Sequence, residues 1–125
     1  MSATTINGVQ RTFTASGTFS PYLALALQTD GKVAVATNAT LANQKVIGFS
    51  TRDALADGDA TGVALVGQGT VYATAKSTIT NAGTLVYASD SGLVGTTATA
   101  NYQVLGVTLE SASANDVIEI APINL

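Results

Sequence analysis

Bulky apolar residues alternate with small or polar ones in "YLALALQ" (22–28), "KVAVAT" (32–37), "TVYATA" (70–75), "TLVYAS" (84–89), "YQVLGVTLE" (102–110) and "DVIEIAP" (116–122). A period of two is the mark of a strand with one face buried. Turn signals separate these runs: Thr29-Asp30-Gly31, Asp57-Gly58-Asp59, Asn81-Ala82-Gly83, Asp90-Ser91-Gly92 and Asn115-Asp116. They recur at roughly ten-residue intervals, the spacing of a sandwich or barrel. No segment sustains a 3.6-residue period behind a cap, and the best helical candidate is a single turn over "DALAD" (53–57).

The pattern is written twice. Val46, Ile47, Gly48 and Phe49 align with Val104, Leu105, Gly106 and Val107, and after a one-residue gap Asp59 aligns with Asp116 ahead of another strand. Upstream, "YLALALQTDGKVAVAT" mirrors "GTLVYASDSGLVGTT": a strand, a tight turn containing Asp, a strand. The repeat thus runs over about 22–66 and 83–123. A single unit of this kind leaves its apolar face uncovered, so two units closing on each other, related by an approximate two-fold, are expected to supply one core. Gly48 and Gly106 are expected at a bulge, a barrel corner or a close backbone approach, because those are the uses of a glycine inside a strand. The fold expected is all-β, a small barrel or sandwich of two hairpin-plus-strand units. One barrel domain is expected over 21–125, preceded by an extended N-terminal arm over 1–20.

Composition narrows the function more than it names one. The chain has 125 residues, enough for one domain with a real core. Only 10% of them are charged, against about 25% in typical soluble domains. Mean hydropathy is +0.34, so a lone copy would be sticky, and burial of its surface in an assembly is the simplest remedy. The basic residues, Arg11, Lys32, Lys45, Arg52 and Lys76, are scattered, which leaves no stripe to neutralise phosphates; nucleic acid is not an expected partner. The longest nearly apolar run, "YLALAL", is far too short to span a bilayer, and the opening "MSATTINGVQ" has neither a basic start nor an apolar stretch of a secretory signal.

Reactive chemistry is sparse. With no histidine and no cysteine, Ser-His-Asp and Cys-His arrangements and thiolate or imidazole metal sites cannot be built. Most acids fall at turns, the wrong place for a carboxyl that must be desolvated for acid–base work. No catalytic residue and no cofactor is expected. "DGDATG" (57–62) looks like the start of a calcium loop, but the closing position falls on Gln68 and no helices flank it. The other reading is that Asp57 and Asp59 cap a turn, and no metal is expected. Phe49, Tyr72, Tyr87 and Tyr102 lie inside strand patterns and belong to a core or a barrel end. Phe13, Phe19 and Tyr22 lie in "RTFTASGTFSPYL", where alternation is weak. There they would anchor a partner surface or fold back on their own domain.

The segments "VIGFSTRDALADGDATGVALVGQGTVYA", "NAGTLVYASDSGLVGTT" and "VLGVTLESASANDVIEIAP" together resemble a family of small β-barrel phage capsid decoration (cement) proteins, over Val46 to Ile123. The resemblance implies a structural role on the outer surface of the virion's capsid, with the major capsid protein and further copies of the chain as partners, commonly as homotrimers. The 1–20 segment lies outside the resemblance; Thr- and Ser-rich, with Gly8, Gly17 and then Pro21, it is expected to be a tether docking on the shell or on a neighbouring copy through Arg11, Phe13, Phe19 and Tyr22. Gly48, Asp59, Gly106 and Asp116 are then structural positions of the repeat. The alternative from another class is a receptor- or glycan-binding β-domain of a virion fibre or a pilus, which would concentrate aromatics and acids in one cleft; here they are dispersed.

Overall fold

The computed structural model describes residues 9–37, 41, 44–66, 69–97 and 103–122. Among the described residues ten strands form two five-stranded antiparallel sheets. The first holds β1 (Val9–Thr14), β2 (Ala24–Leu27), β3 (Val33–Val35), β4 (Val46–Ser50) and β5 (Ala60–Leu65) in the spatial order β1-β5-β4-β2-β3. The second holds β6 (Val71–Thr74), β7 (Leu85–Ala88), β8 (Val94–Gly95), β9 (Val104–Thr108) and β10 (Val117–Pro122) in the order β6-β10-β9-β7-β8. Adding five to each strand of the first sheet gives the second, so the chain is one topology used twice. We call the two copies unit one and unit two.

Each sheet curls until its edges meet. A parallel bridge joins Ala15 to Val33 in unit one, and Ala75 to Val94 in unit two. The curl is produced by a register shift in β2 between Leu25 and Ala26, and at the same place in β7 between Val86 and Tyr87. Opposite those shifts stand Gly48 and Gly106. A Cβ at Gly48 would lie 2.4 Å from the Ala64 carbonyl oxygen, and one at Gly106 would lie 2.2 Å from that of Ala121. Neither distance admits a side chain, so the two glycines let adjacent strands coil past each other at matching corners.

The equivalence reaches individual hydrogen bonds. Leu23 N donates to Ser50 Oγ at 3.0 Å, and that hydroxyl donates to Ser20 O at 2.8 Å. In unit two Thr84 N donates to Thr108 Oγ1 at 3.2 Å, and Thr108 Oγ1 reaches Asn81 O at 3.4 Å. Ser50 and Thr108 are both buried, each fastening the loop that leads into the second strand of its unit. In that loop Tyr22 (φ 66°) takes the left-handed backbone that Gly83 (φ 81°) takes in unit two.

Several expectations change. The segment 1–20 is not an arm over its described part. β1 pairs with β5 along its whole length, Ala15 is fully buried and Phe19 pairs with Ala54. Residues 1–8 lie outside the described residues. The repeat therefore begins earlier than 22, because β1 and the bridge after it correspond to β6 and the bridge between Ile79 and Ala112. The turn at 53–57 is not helical, since Ala54 is held in that antiparallel bridge and the Asp59 carboxylate takes the amides of Leu55 and Ala56. The core is not single either. Ala15, Phe19, Leu25, Val33, Ala54 and Val63 fill unit one by themselves. Their counterparts in unit two, Ala75, Ile79, Val86, Val94, Ala112 and Ile120, belong to a larger cluster that also takes in Ala24, Ala26, Val46 and Phe49 from unit one.

That larger cluster shows how the units join. Ala24, Ala26, Val46 and Phe49 point outward from the β2–β4 wall of unit one, and all four are buried. The Gln103 side chain acts there as an extra strand residue. Val46 N donates to its Oε1 at 2.7 Å, and its Nε2 donates to Val46 O at 3.2 Å. Gly92, in a 3-10 turn (Asp90–Gly92), donates its N–H to Ala36 O at 2.8 Å, and Thr74 Oγ1 donates to Tyr22 O at 3.0 Å. Unit two thus presents the end of its barrel to the wall of unit one. The expected two-fold would make both units use the same patches, and they do not.

Candidate interaction surfaces

Several of the carboxylates among the described residues brace loops. Asp57 Oδ1 accepts from Gly17 N at 2.8 Å, tying the turn after β1 to the turn before β5. Asp59 Oδ2 accepts from Leu55 N and Ala56 N, both at 3.0 Å, and Asp116 Oδ2 accepts from Ser113 N at 2.9 Å. Asp59 and Asp116 are therefore one capping device used twice, each folding the chain back over the preceding amides. The "DGDATG" stretch reads as a braced turn, and Gln68 lies outside the described residues. Glu119 accepts from the Thr70 hydroxyl, and its own N–H donates to Glu110 Oε2 at 3.2 Å. Among the described residues no group of three or more His, Cys, Asp or Glu side chains comes together. Two shallow depressions lie at equivalent places in the units, beside the Phe19–Ala54 and Ile79–Ala112 bridges. The first is lined by Thr18, Ser20, Leu23, Val35 and Leu55 with Asp53, the second mainly by Ser and Thr with Asp116.

The residues expected to anchor a partner separate. Phe19 is 8% exposed and belongs to the core of unit one, so it folds back on its own domain. Tyr22 is half-buried at the joint between the units, and its ring meets Tyr72 edge to face with centroids 6.1 Å apart. Arg11 and Phe13 stay available. They project from the same side of β1, the guanidinium lying 5.0 Å above the Phe13 ring. Arg11 is exposed, and Phe13 is partly buried against the unit-one core. Of the other aromatics, Phe49 is core, Tyr87 is half-buried and Tyr72 remains 45% exposed; Tyr102 lies outside the described residues.

Two surfaces emerge that alternation alone did not single out. The wall of unit two is built across three strands, with Leu85, Val107 and Ala121 in one paired row and Tyr87 and Val104 in the next. Every one of these is apolar and none is fully buried. The corresponding rows in unit one are Ala24, Phe49 and Ala64, then Ala26 and Val46. The second surface is the barrel end of unit one. Arg11, Leu27 and Gly31 are exposed there, whereas their counterparts Val71, Ala88 and Gly92 are buried in the joint. An outward-facing sheet row is ordinarily polar, so an apolar wall open to water is the feature to explain.

No protein-family model matches the sequence, and no curated protein matches it at a significant level. Among solved structures the chain is similar to the head fiber gp8.5 N base of bacteriophage phi29. The TM-score is 0.64 and the identity 18%, covering 94% of this chain and all of that one. At that identity the similarity is one of fold, and the fold it establishes is the two-sheet all-β architecture described above.

Proposed function

We propose that this chain is a structural protein of a bacteriophage head. The observation that carries the reading is the fold shared with a phage head fiber base over nearly the whole chain. The residues favour the same direction. The chain has neither histidine nor cysteine, charge is low, and Ala, Ser and Thr lose little rotamer freedom when a broad surface is covered. In the finer form of the proposal the chain decorates the outer surface of the shell, contacts the major capsid protein, associates as a homotrimer and braces the assembled head. Many weak contacts then add up across a lattice of identical sites.

A second reading is favoured by the same neighbour: the chain is the base that holds a fiber on the head. Adding purified protein to emptied heads tests the proposal and separates the readings. Saturable binding at a fixed number of copies per head is expected, and its absence overturns the proposal. A decoration protein raises the temperature at which the shell comes apart, whereas a fiber base binds and leaves it unchanged.

A further inference from the structure

We propose that copies of this chain associate head to tail, the barrel end of unit one in one copy seating on the wall of unit two in the next, by the joint that already links the two units within a chain. The joint inside the chain pairs two different patches, a wall and a barrel end. Each patch therefore has an unused twin. The wall used is Ala24, Ala26, Val46 and Phe49, and its unused twin is Leu85, Tyr87, Val104 and Val107. The barrel end used carries Val71, Ala88 and Gly92, and its unused twin carries Arg11, Leu27 and Gly31. At every one of these seven positions, the member within the joint is buried and its twin is half-buried or exposed.

The unused wall has the chemistry of a covered one. Leu85, Tyr87, Val104, Val107 and Ala121 form an apolar patch across β7, β9 and β10, bordered on β10 by Glu119, where residues turned to water are ordinarily polar. The unused barrel end adds Leu27, which is 38% exposed, and Arg11 above Phe13. A guanidinium at the rim is a fitting partner for a wall that carries Tyr87 where unit one has Ala26, since arginine stacks on a tyrosine face. A joint between unlike patches leaves one of each open at the ends of any row, and only closure into a ring satisfies both. A homotrimer needs a joint of this kind, but the inference stands on burial within the chain and not on any contact with a phage head.

Sedimentation equilibrium of the full chain tests it. The wild-type protein is expected to have a mass of several chains. Val107→Glu, which spoils the unit-two wall, and Leu27→Glu, which spoils the unit-one barrel end, are each expected to sediment as single chains. An equimolar mixture of the two variants should form a 1:1 dimer and nothing larger, because one intact wall and one intact barrel end remain. Tyr87→Lys and Arg11→Glu form a second pair should either glutamate variant lose its cooperative melt. Three results would overturn the proposal: a wild-type monomer at high concentration, a barrel-end variant that still dimerises wall to wall, or a mixture that stays monomeric.

Discussion

Phe49 and Val107 hold the same place in two copies of one unit, yet Phe49 is 1% exposed and Val107 is only half-buried. The same holds for Ala24 against Leu85, Ala26 against Tyr87 and Val46 against Val104, while Ala64 and Ala121 at the β5 and β10 side are both half-buried. Inside the units the correspondence is close: the bulge, the corner glycine, the buried hydroxyl and the capping aspartate all recur. The difference teaches that duplication conserves what a unit needs in order to curl, and that position in the chain decides what each wall meets. Unit two is the partner of unit one, and no part of the described chain plays that role for unit two.

The sharpest way to break the comparison is truncation on both walls. Phe49→Ala is expected to cost about 3–5 kcal/mol in denaturant unfolding, the usual result of emptying a core aromatic site. Val107→Ala in the isolated chain should cost less than about 1.5 kcal/mol. Equal losses would show that the two walls are buried alike. The corner glycines come next. Gly48→Ala and Gly106→Ala are each expected to cost about 3 kcal/mol, because the atom nearest the added methyl is a backbone carbonyl oxygen of the neighbouring strand, which cannot swing aside. Gly83→Ala is the control. Its Cβ would meet nothing within 4 Å, so only the left-handed backbone at φ 81° resists it, at about 1 kcal/mol.

The smallest effect has the opposite sign. Thr61 is buried with its hydroxyl unpartnered, and the matching position in unit two is Ile118. Thr61→Val keeps the shape and removes the orphaned polar group, which is expected to raise stability by about 1 kcal/mol in the same unfolding experiment. A loss of stability would mean that the hydroxyl has a role that the repeat does not share.

Much of this was legible along the chain because it depends on neighbours in sequence or on one strand pair. Alternation located β2, β3, β6, β7, β9 and β10, the repeated Val-Ile/Leu-Gly motif added β4, and turn signals separated them. Gly48 and Gly106 stood out inside strand patterns where a side chain was expected. β1 was harder to read. Its inward positions run Arg11, Phe13, Ala15, so the apolar side opens with a charge where the barrel ends, and the alternation is broken. The signal present was the second copy of the motif: Thr14, Ala15, Thr18, Phe19 and Ser20 match Thr74, Ala75, Thr78, Ile79 and Thr80. The candidate anchors divided for the same reason. Phe13 and Phe19 look alike in sequence, but only Phe19 sits at the bridge that closes the unit.

By itself the sequence determined an all-β chain, the recurrence of one unit, the places of its corners and caps, and the lack of histidine and cysteine. These depend on side-chain period, backbone freedom at glycine and local hydrogen bonding, which act over a few residues. The tertiary structure alone decided that the units join wall to barrel end, and that the first wall is covered while the second stays open. Both walls carry the same kind of apolar residue, so no local preference distinguishes them. Burial is settled by which surfaces the chain brings together across tens of residues, and that is a property of the assembled sheets.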